Sequence, residues 1–319
     1  MHKLLQNTIG RMLLPWNRHA QRDRRFVMHL ENVLGTSLEL QLTAGTDRAA
    51  KHAESVVLAA IDELEPILSG WSETSELSRW MATRNVDVRV STALIDVLDA
   101  SNVWRERTAG AFDPAAYAVT TALRACHGVP TIVAEDPLWT VNHANRTARR
   151  LTPHAISLDA IAKGYIVSRA ATRAFEVDGV TGVLLNIGGD IQHFGARVSS
   201  VGIADPTAPA ENAPSISVVR IQNAALATSG GYRRRFIANG QRVSHIVDAR
   251  TGRPADAIIS ASVFAPDCTA ADALSTAFSV MHPQESVALA DSLPGVGCLI
   301  VERSGAITTS TTWTTHSRP

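Results

Sequence analysis

The amino-acid sequence predicts an α+β fold in which antiparallel sheets carry most of the core. Segments with strand character outnumber segments with helical character, and they follow one another as neighbours along the chain. A parallel sheet would need a regular alternation of strands and helices. The chain has 319 residues, of which 45% are hydrophobic, so it is long enough to bury a large core.

The first predicted elements follow a polar N-terminal arm. In residues 36–42, Leu38, Leu40 and Leu42 alternate with other side chains, which predicts a half-buried strand. Residues 52–68 place apolar side chains three and four positions apart, as an amphipathic helix does. Residues 69–80 are then expected to form a loop.

Turn residues and apolar runs predict the remaining elements. A hairpin is expected within residues 128–156, a helix at 160–176, and an apolar strand at 182–195 that Gly188 and Gly189 interrupt. Further strands are expected at 215–222, 242–249, 258–265 and 297–303, and further helices at 269–281 and 283–293.

Composition and charge exclude several classes of protein. The formal net charge is zero and the isoelectric point is about 7.2, so no positive field favours a nucleic-acid partner. Cys126, Cys268 and Cys298 are far apart, which predicts buried thiols rather than a zinc or redox motif. The N-terminal apolar run "MLLPW" is too short for a signal peptide or a transmembrane segment, and no lipid-accepting cysteine follows it. We therefore expect a cytoplasmic protein.

The predicted helix at 269–281 contains a carboxylate among small apolar residues. Asp272 and Thr276 are four positions apart, so their side chains share one helix face. A carboxylate and a hydroxyl are hard oxygen ligands of the type that Mg²⁺ prefers. An acidic residue near a helix N-terminus is also favoured by the helix dipole alone, so both interpretations stay open.

Two glycine-containing stretches could approach a phosphate. Lys163 lies in the first turn of a predicted helix, where it could contact a phosphate or remain a solvated surface lysine. The stretch "NIGGDI" at 186–191 places paired glycines after an apolar run, where they allow either a close ligand approach or a simple turn. Neither a P-loop nor a GxGxxG dinucleotide motif is present in the sequence.

A fourth stretch, from Ala225 to Pro254, contains the candidate proton acceptor. It holds the turn Thr228, Ser229 and Gly230, followed by His245 near the end of a predicted strand. Histidine is suited to general base catalysis at neutral pH. A structural hydrogen bond at the strand end is the alternative role for His245.

Taken together and in order, these stretches resemble the FAD:protein FMN transferases of the ApbE family. That family shows "DLGGIAKGY", "NIGGDI", "ATSGdYrr", "SHIIDPrTG" and "ADALaTAl". This chain has "IAKGY", "NIGGDI", "ATSGGYRR", "SHIVDARTG" and "ADALSTA" in the same order. Weaker matches, including "LGTSLEL", "GAFDP" and "VGIADP", extend the resemblance over roughly residues 30 to 312.

The resemblance implies a fold and an activity. The fold would be two antiparallel-sheet units flanked by helices, of the T-fold type, with FAD bound between them. The chain would divide into an arm at 1–29 and an FMN transferase domain at 30–319. The enzyme would use Mg²⁺ to transfer FMN from FAD to a Thr or Ser hydroxyl in the flavinylation motif of an acceptor flavoprotein, through a phosphoester bond, and would release AMP.

The resemblance also implies roles for individual residues. The metal would be bound by Asp272, Ser275, Thr276 and the carbonyl of Ala160, while Lys163 would contact the phosphates and His245 would assist catalysis. Contacts with FAD would come from the following residues: Leu34, Trp71, Ala111, Phe112, Asp113, Ser157, Lys163 and Ile246. Trp71 would stack on the isoalloxazine ring.

The chain departs from the family pattern at several positions. Ser157 stands in place of an aspartate, while Asp159 stands two positions later in place of a glycine. Trp80 and Ala249 replace a usual asparagine and proline. Two other activities are therefore alternatives to FMN transfer: hydrolysis of FAD to FMN and AMP, and flavin binding without turnover.

Overall fold

A computed structural model describes residues 23–125, 137–208, 214–231, 235–238, 241–244 and 246–318. Its helices are α1 Asp47–Leu68, α2 Glu76–Met81, α3 Thr92–Arg107, α4 Ala116–Arg124, α5 Asp159–Phe175, α6 Cys268–Phe278, α7 Pro283–Ser292 and α8 Thr311–His316. The strands are β1 Arg24–Val33, β2 Thr36–Ala44, β3 Val88–Arg89, β4 Trp139–Asn142, β5 Thr147–Arg150, β6 Val180–Ile187, β7 Asp190–Gly195, β8 Ser199–Ile203, β9 Ser217–Ile221, β10 Ala224–Ser229, β11 Arg235–Ala238, β12 Gln241–Ser244, β13 Val247–Asp248, β14 Arg253–Pro254, β15 Ile258–Ala265, β16 Gly297–Glu302, β17 Ile307–Thr309 and β18 Ser317–Arg318.

One eight-stranded sheet organises the molecule, with the strand order β1-β2-β6-β7-β10-β15-β16-β17. Each neighbouring pair in this sheet is antiparallel. All the residues of β15 are buried, because this strand lies inside the sheet and both of its faces are covered. The α+β class predicted from the sequence is confirmed.

The two faces of the main sheet carry different layers. Helices α1, α5 and α6 pack on one face and form the larger core with it. On the other face, Val219 and Ile221 of the small sheet β18-β9-β8 form a second core with Trp313 of α8. The described strands thus form one large sheet of eight strands, together with smaller sheets of two or three strands each.

Helices α5 and α6 approach each other closely at Gly164. A Cβ atom at this position would lie 2.3 Å from the carbonyl oxygen of Cys268 and 2.7 Å from Cβ of Asp272. Only glycine fits this contact, because real side chains do not come that close to a backbone oxygen. The glycine of "IAKGY" therefore fixes the distance between the two helices.

Most of the predicted elements are present with shifted ends. The helix expected at 52–68 begins earlier, at Asp47, because Thr46 caps it by accepting a hydrogen bond from the Ala49 amide. The strand expected at 182–195 is a hairpin of β6 and β7, whose turn residues Gly188 and Gly189 have φ values of 61° and 97°. The glycines therefore reverse the chain where the sequence indicated an interrupted strand.

Several elements extend or add to the predicted set. Strand β1 begins at Arg24, so it takes in the end of the segment treated as an arm and pairs with β2. Helix α2 begins within the expected loop at 69–80 and ends just after it, and the strand expected at 242–249 is divided between β12 and β13. Within the described residues no helix is long and apolar enough to cross a membrane. Cys268 and Cys298 are buried free thiols as predicted, whereas Cys126 lies outside the described residues.

Candidate active site

The glycine-containing motifs meet at one end of the main sheet. The amide of Gly188 donates to the carbonyl of Ser37 at 3.0 Å, so the turn between β6 and β7 lies beside the start of β2. Strand β10 ends at Ser229 in the same sheet, and α5 begins near this end before it runs back towards β6. Segments that are far apart in sequence thus contribute side chains to one region.

Asp272 is a buried carboxyl group between α5 and α6. Its residue is only 5% exposed, and its Oδ2 accepts a hydrogen bond of 3.0 Å from the Gly164 amide. In a regular helix this amide would donate to the carbonyl of Ala160. The close contact at Gly164 therefore lets a carboxylate of α6 bind the backbone of α5.

Lys163 and Asp190 form an ion pair beside Asp272. The Lys163 Nζ lies 2.5 Å from Oδ2 of Asp190, whose side chain is almost completely buried. The charges of Asp190 and Asp272 also act on each other and on Lys163. We call these three residues the carboxylate–lysine cluster.

Burial and mutual repulsion dominate the electrostatics of this cluster. Burial and then the charge of Asp190 raise the pKa of Asp272 to about 8. Burial also raises the pKa of Asp190, against the attraction of Lys163. Burial alone would lower the pKa of Lys163, but the two carboxylates outweigh it and the pKa is raised. Two carboxylates thus face one ammonium group, so an additional cation would be stabilised here.

Three hydroxyl groups lie next to the cluster. Ser229 at the end of β10 places its Oγ 2.8 Å from Oγ of Ser275 and 3.2 Å from Oγ1 of Thr276. Ser275 is fully buried, whereas Thr276 is partly exposed on the same helix. Asp272 and Thr276 therefore share a helix face, as their spacing predicted.

The residues present fit an oxygen-ligated divalent cation. The candidate ligands are one carboxylate, the hydroxyl of Thr276 and the carbonyl of Ala160, which are all hard oxygen donors. Among the residues that the structure describes, no group of three or more His, Cys, Asp or Glu side chains is arranged to hold a metal. In proteins Mg²⁺ keeps several waters and binds one or two carboxylates together with substrate phosphates, and this set of donors is compatible with that mode of binding.

An aromatic cleft of about 390 Å³ opens at the N-terminal end of α5. Trp71, Tyr117, Ile156, Ser157 and Asp159 are among its lining residues. The side chain of Trp71 is 78% exposed, so it is a large apolar surface that the fold leaves uncovered. Apolar side chains such as Trp71 and Ile156 line the cleft together with the polar side chains of Arg150, Ser157 and Asp159, so it could contact both an aromatic ring and polar groups of a ligand.

The segment 111–113 lies beside this cleft but is largely occupied with its own structure. Ala111 and Phe112 are buried, and Asp113 accepts hydrogen bonds from the Arg105 side chain at 2.9 Å and the Ala115 amide at 2.8 Å. The Ser157 amide donates to the carbonyl of Pro114 at 3.0 Å. This bond connects the predicted "AFD" segment to the start of α5.

The remaining predicted residues lie at the same end of the molecule or outside the described part. Leu34 occupies the turn between β1 and β2 in the left-handed region, with a φ of 50°. The amide of Ile246 donates to Oγ of Ser244, and its carbonyl accepts from the Ala255 amide. His245 lies outside the described residues, so its role stays a prediction.

The structure adds two site residues that sequence reasoning did not single out. Asp190 belongs to "NIGGDI", where the paired glycines gave the stronger signal and the carboxylate was missed. Ser229 was predicted only as part of a turn. The residues that depart from the family pattern lie in different places. Trp80 is buried and donates to the carbonyl of Ala148, whereas Ser157 and Asp159 line the cleft.

The fold and the site together define an α+β protein with a buried carboxylate–lysine cluster beside an aromatic cleft. The chain belongs to the ApbE family, since the model of that family matches residues 34–300. The family prediction is thereby confirmed.

Named relatives and solved structures agree with this assignment. A Treponema pallidum protein named FAD:protein FMN transferase is 28% identical over 303 residues, which cover 85% of this chain and 83% of the relative. A Klebsiella pneumoniae protein of the same name is 26% identical over 277 residues, or 79% of this chain and 78% of the relative. The crystal structure of the ApbE protein from Thermotoga maritima has a TM-score of 0.79 and 27% identity, covering 93% of this chain and all of that one.

Proposed function

We propose that this protein transfers FMN from FAD to a Thr or Ser hydroxyl of an acceptor protein. A bond would form between the acceptor oxygen and the phosphorus of the FMN half, while the bond from that phosphorus to the AMP oxygen breaks. AMP would leave, and the hydroxyl proton would pass to a base. The observation that carries the proposal is the carboxylate–lysine cluster next to an aromatic cleft, in a chain whose relatives are named for this reaction.

We further propose that Asp272, Thr276 and the Ala160 carbonyl hold Mg²⁺ at the pyrophosphate. When bound, the metal would neutralise the charge on the phosphoryl oxygens. The Gly164 amide donates to Asp272 and so orients the carboxylate towards the site. The raised pKa of Asp272 fits this role, because a cation would stabilise its ionised form.

Lys163 and the cleft would position the substrate. Lys163 is held by Asp190 on one side and is partly exposed, so its ammonium group can contact a phosphate. Trp71 would stack on the isoalloxazine ring in the cleft, where Ser157 and Asp159 offer polar contacts. His245 is the proposed base for the acceptor hydroxyl, and a Thr/Ser flavinylation motif is the proposed acceptor sequence.

The proposal is tested by incubating the purified protein with FAD, Mg²⁺ and an acceptor peptide that carries such a motif. Intact mass should show the gain of one FMN on the peptide, and Asp272→Ala should lose this gain. Asp62→Ala, which removes an exposed carboxylate of α1, should transfer FMN normally.

Other outcomes separate the alternatives. Free FMN and AMP without modified peptide would indicate hydrolysis of FAD by water in the same site. Bound FAD that stays intact with Mg²⁺ and peptide present would indicate a flavin-binding protein without turnover. Either result would contradict the proposed transfer to this acceptor sequence.

A further inference from the structure

The three hydroxyl groups beside the cluster have a fixed direction of hydrogen bonding. The Ser275 hydroxyl donates to the backbone carbonyl of Asp272 at 2.9 Å. A serine hydroxyl has one proton and two acceptor lone pairs. Ser275 has therefore used its proton and can only accept in its 2.8 Å contact with Ser229.

The same count determines the role of Ser229. Its proton must be donated to Ser275, so Ser229 can only accept in its 3.2 Å contact with Thr276. The hydroxyl of Thr276 must then be the donor. The protons point along one path, from Thr276 to Ser229, from Ser229 to Ser275, and from Ser275 to the Asp272 carbonyl.

This direction leaves the lone pairs of Thr276 directed away from Ser229. A hydroxyl that binds a cation must use a lone pair and keep its proton turned away from the metal. Thr276 is also the partly exposed member of the three, while Ser275 is fully buried and occupied on both sides. The hydroxyl path thus prepares Thr276 for a cation before the cation arrives.

We infer that Ser229 is a positioning residue that orients the Thr276 hydroxyl for metal binding, and that Ser275 is its acceptor rather than a metal ligand. The inference rests on the proposed metal role of Asp272 and Thr276. It assigns a function to the serine of "ATSGG", which lies on a strand rather than on the metal-binding helix. Removing the Ser229 hydroxyl leaves the Thr276 proton without this acceptor.

Metal affinity without FAD is the direct test. Mn²⁺ binding to the purified full chain would be followed by the loss of the free-ion electron paramagnetic resonance signal. Ser229→Ala should weaken binding by about five- to tenfold, the usual effect of losing one hydrogen bond between neutral groups. Ser229→Thr keeps a hydroxyl and should restore most of the affinity.

A matched control is available in the neighbouring residue. Thr228 lies on the opposite face of β10, where its Oγ1 is 2.8 Å from Oγ of Ser262. Thr228→Val also removes one hydroxyl contact from β10, so it should lower stability about as much as Ser229→Ala but leave the Mn²⁺ affinity unchanged. Melting temperatures of all variants would check that they fold.

The outcomes distinguish this inference from the proposed function. If the wild-type protein binds Mn²⁺ no better than Asp272→Ala, the proposed metal site itself is wrong. If the wild-type protein binds Mn²⁺ through Asp272 and Ser229→Ala binds equally well, only the positioning role is overturned. Equal weakening by Thr228→Val and Ser229→Ala would also overturn it, since the effect would then come from β10 as a whole.

Discussion

Two buried carboxyl groups, those of Asp190 and Asp272, share one ammonium group at the centre of the site. A buried ion pair contributes little net stability, but removing one partner leaves an uncompensated charge. The arrangement therefore makes more sense as a way of fixing Lys163 than as a stabilising contact. Asp190 fixes the side chain, and the partly exposed ammonium group can still meet a substrate.

Asp190→Asn keeps the size of the side chain and removes its charge. Lys163 would lose the partner that holds it, so the rate of FMN transfer should fall by about ten- to a hundredfold, as for a misplaced catalytic group. Asp96→Asn is the control, because Asp96 accepts a hydrogen bond from Tyr165 on the same helix as Lys163. Transfer at the wild-type rate in Asp190→Asn would show that Lys163 needs no anchor.

His193 makes stability depend on pH at a position away from the site. It is buried on the face of β7 that packs with Ile191 and Leu226, and burial lowers its pKa from the ordinary value of 6.5. Its folded pKa is thus below its unfolded pKa, so its contribution to stability is present above about pH 6.5 and is lost as the pH falls through the folded pKa. The unfolded chain takes up the proton first.

His193→Gln removes this titration. The free energy of unfolding, measured with urea at pH 8 and at pH 5.5, should fall less on acidification in the variant than in the wild-type protein. Comparing the two proteins cancels the contributions of the other titrating groups, including those of the carboxylate–lysine cluster. An equal loss in both proteins would mean that folding does not lower the pKa of His193.

At the scale of elements, the site depends on the distance between α5 and α6. The Asp267 side chain caps α6 by accepting from the Ala270 amide, and Gln192 of β7 accepts from the Cys268 amide at 2.9 Å. These bonds fix the start of α6 on the main sheet. Gly164 then allows α5 to lie close enough for its amide to reach Asp272.

Gly164→Ala should separate the two helices. The added methyl group would clash with the Cys268 carbonyl, and overpacking of this kind costs about 1–3 kcal/mol or more of unfolding free energy. Urea unfolding and Mn²⁺ binding should both be impaired, because the Asp272 contact moves with the helix. Gly45→Ala is the control, since a Cβ there meets nothing within 4 Å and no positive φ is required. Normal metal binding in a destabilised Gly164→Ala protein would show that the site does not depend on the distance between α5 and α6.

For the molecule as a whole, ligands at this site should stabilise the entire fold. The site joins the main sheet to α5 and α6, which belong to the larger core. A ligand that binds only the folded state at a hundredfold excess over its dissociation constant adds about 2.7 kcal/mol. Mg²⁺ and FAD together should therefore raise the melting temperature of the protein.

Removal of the metal checks this expectation. A chelator should abolish the part of the increase in melting temperature that depends on the metal. In Asp272→Ala the melting temperature should not change with the Mg²⁺ concentration. A wild-type protein whose melting temperature is the same with Mg²⁺ and with chelator would contradict metal binding at this site.

Local sequence patterns are sufficient to predict the fold class, the family and the face on which Asp272 and Thr276 lie. These features depend on hydrophobic periods, on turn residues and on short motifs, all of which are written along the chain. The helix period alone places the carboxylate and the hydroxyl together. The glycines of "NIGGDI" likewise indicate a special backbone from the sequence alone.

The identity of the distant residues that support the site depends on the three-dimensional fold. Asp190 and Ser229 lie on different strands from each other and on neither of the two site helices, so no spacing in the sequence relates them to Lys163 or Thr276. Their roles arise from strand order in the main sheet and from the close contact at Gly164. The roles of these residues depend on the direction of hydrogen bonds and on the balance of charges. Both depend on the distances between atoms, and these distances are set only when the chain folds.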